Sequence, residues 1–299
     1  MNKLTAIRYF CKVVENGGFA AAARKLHTTR ATVNKYVVYL EDDLGVPLLL
    51  RSTRKVSPTD AGLRFYQRCV KILEDLEEAE AQASSGRDAP VGRLRVNAPL
   101  AFGTRYIGPY LCDFISTYDK VEVQLNLTDR FIDLLEDDYD LTIRISNDSD
   151  AANLVIKDIC PIRILVCASP DYLRKHGEPG TPEDLLDHTC LQFGHSLTGR
   201  KWVLGSHEVI PSGPICCNEP EVLREAALAN LGIVALPNFM VGPDLQEGML
   251  RTILTDYPIP PRSLQAIYPF HRQVSDKVTT FINGLIDRFA ERPPWDLID

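Results

Sequence analysis

The sequence lacks the motifs by which many enzyme families are identified. It contains no Gly-x-Ser-x-Gly, no Gly-rich phosphate loop and no His-Glu-x-x-His, and its histidines are scattered along the chain, at 27, 176, 188, 195, 207 and 271. His188, Cys190 and His195 lie close together in sequence, but a nucleophile needs partners in space that spacing alone does not establish. We therefore predict no catalytic residues and no enzymatic activity.

Long apolar stretches are also missing. No segment approaches the roughly 20 consecutive apolar residues that a membrane helix needs. The opening stretch MNKLTAIRYFCKVVENGG carries Lys3, Arg8 and Lys12, so it lacks the uncharged apolar core of a signal peptide. We therefore expect a protein that stays in the cytoplasm and has no membrane partner.

The cysteines form neither a CxxC pair nor a cluster with zinc-like spacing. They stand at 11, 69, 112, 160, 167, 190, 216 and 217. In a reducing compartment they are most simply small buried apolar residues, so we predict no metal site and no cofactor. The adjacent Cys216 and Cys217, together with Cys190, leave a redox-responsive switch open as an alternative.

Charge is distributed unevenly over the 299 residues, whose formal net charge is −7. Residues 1–59 hold ten Lys and Arg but four Asp and Glu, and the rest of the chain is correspondingly acidic. A basic head on an acidic body indicates a polyanionic partner for the head alone.

The basic head has the pattern of three helices. Apolar residues recur at helical spacing as far as Asn16-Gly17-Gly18, and the segment AAAARKL predicts a second helix that a neighbour can approach closely. Thr29 is a candidate N-cap for a third helix that ends at Gly45. The third helix is predicted to bury one stripe, formed by Val33, Val37, Leu40 and Leu44.

The segment VPLLLRSTRKVSPT, residues 46–59, contains two short β-like runs joined by a turn that is rich in cations. Two antiparallel strands directly after a helix-turn-helix indicate a wing that holds phosphates.

A longer helix is predicted over residues 60–86. Its apolar positions follow alternating spacings of three and four, which is a heptad seam and indicates a partner helix. The alternative is packing of this helix on its own domain. The residues expected to mediate dimerisation are Phe65, Cys69, Ile72, Leu76 and Ala79.

Beyond the Ser-, Gly- and Pro-rich segment SSGRDAPVGR the pattern changes to alternating strands and helices. RLRVNAP and VEVQLNL predict strands, and EPEVLREAALANLG predicts a helix before the buried strand IVALP. The body therefore belongs to the α/β class, with mostly parallel sheets expected.

The order of these parts resembles that of LysR-type transcriptional regulators. The resemblance is carried by Phe10-x-x-Val13, by Ala22-Ala23-x-x-Leu26, by Leu40-Glu41-x-x-Leu44-Gly45-x-x-Leu48, and by Arg51 with Thr59-x-x-Gly62. LRVNAP, DLTIRI and LREAALANLGIVALP extend it through the body. Gly18 stands where the family usually has Ser, which predicts a weaker cap for the second helix.

The resemblance implies a winged helix-turn-helix domain at residues 1–59, a long linker and dimerisation helix at 60–86 and a hinge at 87–92. It implies a two-lobed effector domain, similar to type 2 periplasmic binding proteins, at 93–295. Lobe 1 is expected at 93–161 and 267–295, and lobe 2 at 162–266.

The resemblance also implies roles for individual residues. The expected DNA-binding residues are Thr29, Arg30, Thr32, Asn34 and Lys35 on the third helix, with Arg51, Arg54 and Lys55 in the wing. The expected effector-binding residues are Asn97, Ala98, Pro99, Leu100, Phe102, Thr128, Asp129, Arg144, Asn218 and Glu219. Arg30 replaces the Gln that is usual in the family, and it can bind either a guanine edge or a phosphate.

The expected partners are double-stranded promoter DNA, a small-molecule effector such as a small organic acid, and further copies of the chain in a homodimer or homotetramer. RNA polymerase is a candidate further partner. The alternatives are the redox-responsive regulator and, from the α/β body taken alone, an enzyme or a solute-binding protein. The basic winged head argues against the last two, because neither catalysis nor transport needs it.

Overall fold

The computed structural model describes residues 1–51, 56–85, 90–130, 132, 134, 139–147, 153–194, 201–270, 275–289 and 293–296. The chain divides into two compact units, residues 1–88 and residues 89–299. Across the described residues, no helix combines the length and the apolar character that a membrane crossing requires.

The first unit begins with three helices, as predicted: α1 (Lys3–Glu15), α2 (Phe19–Lys25) and α3 (Arg30–Leu44). The small side chains of Ala22 and Ala23 are buried, which lets the neighbouring helices approach α2 closely. Gly18 is the N-cap of α2 and has no side chain with which to bond the start of the helix.

The wing follows α3 as two short antiparallel strands, β1 (Leu49–Arg51) and β2 (Val56–Pro58). The long helix α4 (Asp60–Ser85) comes next and packs against α1. The predicted cations Arg54 and Lys55 lie outside the described residues.

The second unit starts with strand β3 (Gly92–Ala98), and its helices and strands then alternate. They are α5 (Leu100–Phe102), a π-helical turn (Gly103–Ile107), α6 (Gly108–Thr117), β4 (Val121–Leu127), β5 (Leu141–Ser146), β6 (Leu154–Ile162), β7 (Ile164–Ala168), α7 (Pro170–His176), a 3-10 helix (Pro182–Asp187), β8 (Cys190–Phe193), β9 (Trp202–Leu204), β10 (His207–Val209), β11 (Cys216–Cys217), α8 (Pro220–Leu228), β12 (Ile233–Pro237), α9 (Asn238–Gln246), β13 (Arg251–Thr252), β14 (Arg262–Pro269) and α10 (Asp276–Phe289).

In the described part of this unit, each of two lobes is built on a five-stranded sheet. The strand order is β4-β3-β5-β14-β6 in lobe 1 and β11-β8-β12-β7-β13 in lobe 2. The chain crosses from lobe 1 to lobe 2 at Arg163, between β6 and β7, and it returns before β14. Two lobes joined by two crossovers confirm the predicted fold class.

The expectation of mostly parallel sheets is wrong. β3 is parallel to β4 and β5, whereas β14 is antiparallel to β5 and β6, and lobe 2 repeats this mixture. The predicted border of the lobes at 266/267 must also be moved, because β14 belongs to the sheet of lobe 1 from Arg262 onwards. β14 lies between β5 and β6 and pairs antiparallel to both.

Candidate DNA-binding and effector sites

Helix α3 begins at the N-cap that was predicted. The side-chain oxygen of Thr29 accepts a hydrogen bond from the backbone N–H of Thr32 at 3.1 Å, and the two threonine hydroxyls are 2.8 Å apart. Gly45 ends the helix in the left-handed region at φ 70°, where a residue without a Cβ avoids strain. Both ends of α3 are therefore set by local sequence.

The two faces of α3 differ in character. Val33, Val37 and Leu40 have no exposed surface, which confirms most of the predicted stripe. Outside this stripe the predicted DNA-binding residues form a polar surface, in which Thr32 is half-buried and Thr29, Arg30, Asn34 and Lys35 are exposed. A helix of this kind presents hydrogen-bonding groups of the size and reach that a DNA major groove accommodates.

The wing is attached to α3 by Glu41, a residue near the end of that helix. Its Oε1 atom accepts hydrogen bonds from the backbone N–H groups of Leu48 at 2.8 Å and Leu49 at 3.0 Å. Leu48 and Leu49 are themselves buried, so the carboxylate anchors the start of β1. Arg51 lies on β1, and its side chain lies outside the described part of the chain.

Thr59 and Gly62 fix the other end of the wing. The Thr59 hydroxyl donates to the Pro47 carbonyl at 2.9 Å and accepts from the Gly62 N–H at 2.9 Å, so it caps α4. A Cβ at position 62 would overlap the backbone carbonyl of Leu48. Glycine is therefore required where α4 passes the wing, and this explains the Thr-x-x-Gly spacing in the sequence.

The predicted dimerisation seam on α4 divides into two parts. Phe65 packs on Phe10 of α1, with ring centroids 5.8 Å apart, and Cys69 is buried in the same core, so the alternative of packing within the chain applies to these two positions. Ile72 is 56% exposed, Leu76 is half-buried and Ala79 is exposed. These three residues are therefore the accessible part of the seam.

A cavity of about 660 Å³ lies between the two lobes. Its walls include the aromatic side chains of Phe102, Phe193, Trp202 and Phe239 and the aliphatic side chains of Ile143, Ile145, Ile164 and Ile259. A volume of this size and a largely apolar lining with a few polar groups are typical of small-molecule sites.

Six of the ten predicted effector-binding residues line this cavity. They are Asn97, Pro99, Phe102, Thr128, Asp129 and Arg144. Asn97 is held by the hydroxyl of Thr142, which donates to its Oδ1 at 3.0 Å, and its own amide donates to the Asn126 carbonyl at 3.1 Å.

The other four predicted residues do not line the cavity. Ala98 is fully buried in the lobe 1 core, and Leu100 is 41% exposed on the surface. Glu219 caps α8 by accepting a hydrogen bond from the Glu221 N–H at 3.3 Å, so its own carboxylate occupies the helix start where an anion was expected. Asn218 precedes Glu219, and Pro220, which follows Glu219, lines the cavity.

Three cationic residues of the cavity were missed from the sequence. Arg130, Lys201 and Arg262 line it together with Arg144. Arg130 directly follows the predicted pair Thr128-Asp129, whereas Arg262 could be found only by knowing that β14 returns at the border between the lobes. Lys201 forms an ion pair with Glu208 at 2.6 Å, and Arg144 donates to the uncharged Ile132 carbonyl at 3.0 Å.

Asp129 is the one acidic residue among the described residues that line the cavity. Loss of water around its carboxylate raises the pKa of Asp129, and a hydrogen bond from the Leu100 backbone N–H lowers it in part. With one acidic and four basic residues, the cavity favours a ligand that carries negative charge.

A hydrogen-bonded network supports the cavity from the β14 side. Ser146, which lines the cavity, donates to Gln265 at 2.7 Å, and Gln265 donates to Asp158 at 3.0 Å. Ser263 also donates to Asp158, at 2.6 Å. These hydrogen bonds from Ser263 and Gln265 hold the pKa of Asp158 below its ordinary value.

The cysteines give little support to a redox switch. Cys190 is fully buried, and burial raises the pKa of its thiol to about 12. Burial likewise raises the pKa of Cys11, Cys160 and Cys167 to about 12, which disfavours the reactive thiolate. Cys216 and Cys217 are half-buried on the short strand β11.

Known proteins resemble this chain over both units. Residues 4–63 match the family model of the bacterial regulatory helix-turn-helix protein, lysR family, and residues 87–290 match the LysR substrate binding domain. An uncharacterized HTH-type transcriptional regulator of Haemophilus influenzae is 36% identical over 284 residues, which cover 93% of this chain and 98% of that protein. DmlR, an HTH-type transcriptional regulator of Escherichia coli, is 32% identical, with 97% and 96% covered. The solved structure of CrgA, a LysR-type transcriptional regulator from Neisseria meningitidis, is 29% identical with a TM-score of 0.61 and covers 95% of this chain and 97% of that one.

Proposed function

The chain belongs to the LysR family of bacterial transcriptional regulators, and on that premise we propose which of its residues read DNA and what kind of effector it binds. Regulators of this family bind promoter DNA and small-molecule effectors and act as oligomers. The DNA-binding role belongs to the winged helix-turn-helix unit and the effector role to the two-lobed unit.

The polar face of α3 is the DNA-reading surface. Lys35 stands exposed on the side opposite the buried stripe, and Arg30 is exposed at the start of the helix; these are the observations that carry the proposal. Arg30 lies in the first turn of the helix, the part that meets base edges in helix-turn-helix complexes. Arg30 therefore contributes to sequence preference, and Lys35 and the wing cations neutralise phosphates.

Titration of fluorescent promoter DNA taken from upstream of the protein's own gene tests these roles. Lys35→Ala lowers the slope of log affinity against log salt by about 0.9 and leaves sequence preference unchanged, because it removes one phosphate contact. Arg30→Ala changes the preferred bases. Lys12→Ala is the matched control, since Lys12 is an exposed cation of the same unit that pairs with Glu15 on α1. Unchanged affinity in Lys35→Ala and Arg30→Ala together contradicts the assignment.

The effector is a small organic anion with an apolar body. Four basic side chains and one acidic side chain line the cavity, and its aromatic walls offer surface for an apolar or aromatic group. Ala101 lines the cavity just after β3 and offers no hydroxyl, so this part of the wall is apolar.

Calorimetry with pairs of acids and their amides tests the effector class. Benzoate and succinate are titrated beside benzamide and succinamide, and the proposal requires that acids bind and the matched amides bind at least roughly tenfold more weakly. Arg262→Gln weakens the binding of acids, whereas Arg93→Gln, which alters a surface arginine paired with Glu122, does not. A panel in which only ligands without an acidic group bind refutes the proposal.

A further inference from the structure

The last described residues of the chain, 293–296, lie where the two lobes meet, and we refer to them as the interlobe clamp. They follow α10, a helix that packs on lobe 1, since the Tyr110 hydroxyl of α6 donates to its Phe281 carbonyl at 2.9 Å. The clamp therefore extends from lobe 1, and its contacts with lobe 2 join the two lobes.

Asp296 binds the first crossover directly. Its Oδ1 atom accepts a hydrogen bond from Arg163, the residue between β6 and β7, at 2.7 Å, and a second from the side chain of Asn238 at 2.6 Å. The Asn238 backbone N–H donates to the Arg163 carbonyl at 2.8 Å. One carboxylate thus joins the crossover to the first residue of α9 in lobe 2.

Trp295 fills the space behind the effector cavity. It is 2% exposed, and its ring centroid lies 5.6 Å from that of Phe102 in lobe 1 and 6.0 Å from that of Phe239 in lobe 2. Phe102 and Phe239 contact each other edge to face at 5.2 Å, and both line the cavity. Any change in the angle between the lobes must move these rings against Trp295.

Close packing on the α9 side limits that movement further. A Cβ at Gly242 would lie 3.3 Å from the Trp295 carbonyl oxygen, so the helix lies directly on the clamp. The Tyr106 hydroxyl donates to the Phe239 carbonyl at 3.0 Å and makes a second tie between the lobes. Interiors packed in this way move between discrete arrangements and do not deform continuously.

We propose that Trp295 and Asp296 are positioning residues of the effector site, which set the angle between the lobes and hold the Phe102–Phe239 wall of the cavity in place. The relevance of this clamp to effector binding rests on the function proposed above. The clamp itself is tested without any effector.

Hydrogen–deuterium exchange of the full-length protein is the main measurement. In Asp296→Ala, amides in peptides 101–106 and 236–240 exchange about tenfold faster, because two hydrogen bonds to a carboxylate are lost and water screens the one from half-exposed Arg163. Asp296→Asn has a smaller effect, since its amide oxygen still accepts. Asp287→Ala, at an exposed position on α10, has none. Peptide 278–285 of the same helix keeps its exchange rate in every variant.

Tryptophan fluorescence gives an independent readout of the clamp. The chain has two tryptophans, so Trp202→Phe leaves Trp295 as the one emitter. Adding Asp296→Ala shifts its emission to the red and increases quenching by acrylamide, because the ring gains solvent.

Two results overturn the proposal. The first is that Asp296→Ala makes Trp295 accessible to acrylamide while the amides of peptides 101–106 and 236–240 exchange as in the unaltered protein. The second is that exchange in Asp296→Ala becomes equally faster in peptide 278–285, because Asp296 would then stabilise the whole second unit and not the clamp in particular. Benzoate titration separates the two proposals: if benzoate binds neither the unaltered protein nor the variant, the effector class fails while the exchange result for the clamp stands.

Discussion

Glu41→Ala is the substitution that tests most directly how the DNA-binding unit is held together. Its carboxylate accepts two backbone hydrogen bonds, at 2.8 and 3.0 Å, from buried residues at the start of β1. Alanine at this position leaves both N–H groups without that acceptor, and it leaves the remainder of α3 unchanged.

The magnitude follows from the geometry. A hydrogen bond to a charged group contributes about 1.5 kcal/mol net at the lower end of its range, which suits a half-buried carboxylate. Two such bonds are lost, and removal of an acid from the last turn of a helix returns about 0.5 kcal/mol. The local free energy of opening therefore falls by about 2.5 kcal/mol, which is roughly 70-fold in the opening equilibrium.

Hydrogen–deuterium exchange of peptide 46–51 in the full-length chain measures this opening. Glu41→Gln keeps an acceptor oxygen without the charge and loses about 1 kcal/mol. Asp42→Ala is the matched control, because Asp42 is exposed in the same helical turn and experiences the same helix dipole. If peptide 46–51 exchanges no faster in Glu41→Ala than in Asp42→Ala, the anchoring role of Glu41 is refuted. On the role proposed above for the wing cations, DNA affinity falls for all sequences alike.

Three further outcomes are expected. Gly62→Ala costs about 3 kcal/mol or prevents folding of the first unit, because its methyl group meets the Leu48 carbonyl. Gly18→Ala has no atom within 4 Å of the new Cβ and costs less than about 1 kcal/mol, the difference between the two residues as helix caps. Thermal unfolding followed by the helix signal compares the two variants. The pKa of Asp158 is depressed in the folded protein, so its contribution to the free energy of unfolding is present above the ordinary carboxyl pKa of about 4 and is lost as the pH falls. Asp158→Asn therefore reduces the loss of stability between pH 6 and pH 3, which denaturant unfolding measures. Ile72→Asp lowers the mass measured by light scattering if the accessible seam of α4 pairs with another copy, and Leu186→Asp, at a position with the same 56% exposure, leaves the mass unchanged.

Local patterns of the sequence predicted the first unit well, because its elements depend on neighbours in the chain. The Thr29 cap, the end at Gly45 and the buried stripe of α3 all follow from helical spacing and from the chemistry of helix ends. The division of the α4 seam was not predictable in this way. Heptad spacing does not say whether the partner is another chain or α1 of the same chain, and Cys69 proved to be buried by its own unit.

The second unit was predicted less completely, because its sheets depend on pairing between distant residues. β14 pairs with β5 and β6 across more than 90 residues, and no local pattern indicates its direction. The effector cavity follows the same rule. Asn97 and Thr128 end adjacent parallel strands and could be found, whereas Lys201 and Arg262 come from segments that only the folded chain brings to the cavity.

The position of β14 has a consequence for how the protein is made. β14 lies between β5 and β6 in the finished sheet of lobe 1, although about a hundred residues of lobe 2 are synthesised before it emerges from the ribosome. At roughly 5–20 residues per second, the inner edges of β5 and β6 wait for several seconds without their common neighbour. The strands of lobe 2 all lie within that intervening stretch, so the lobe that comes later in the chain is the first that can complete its sheet. Nascent chains stalled before and after residue 269 has emerged from the ribosome should therefore differ in protease resistance in lobe 1 and not in lobe 2.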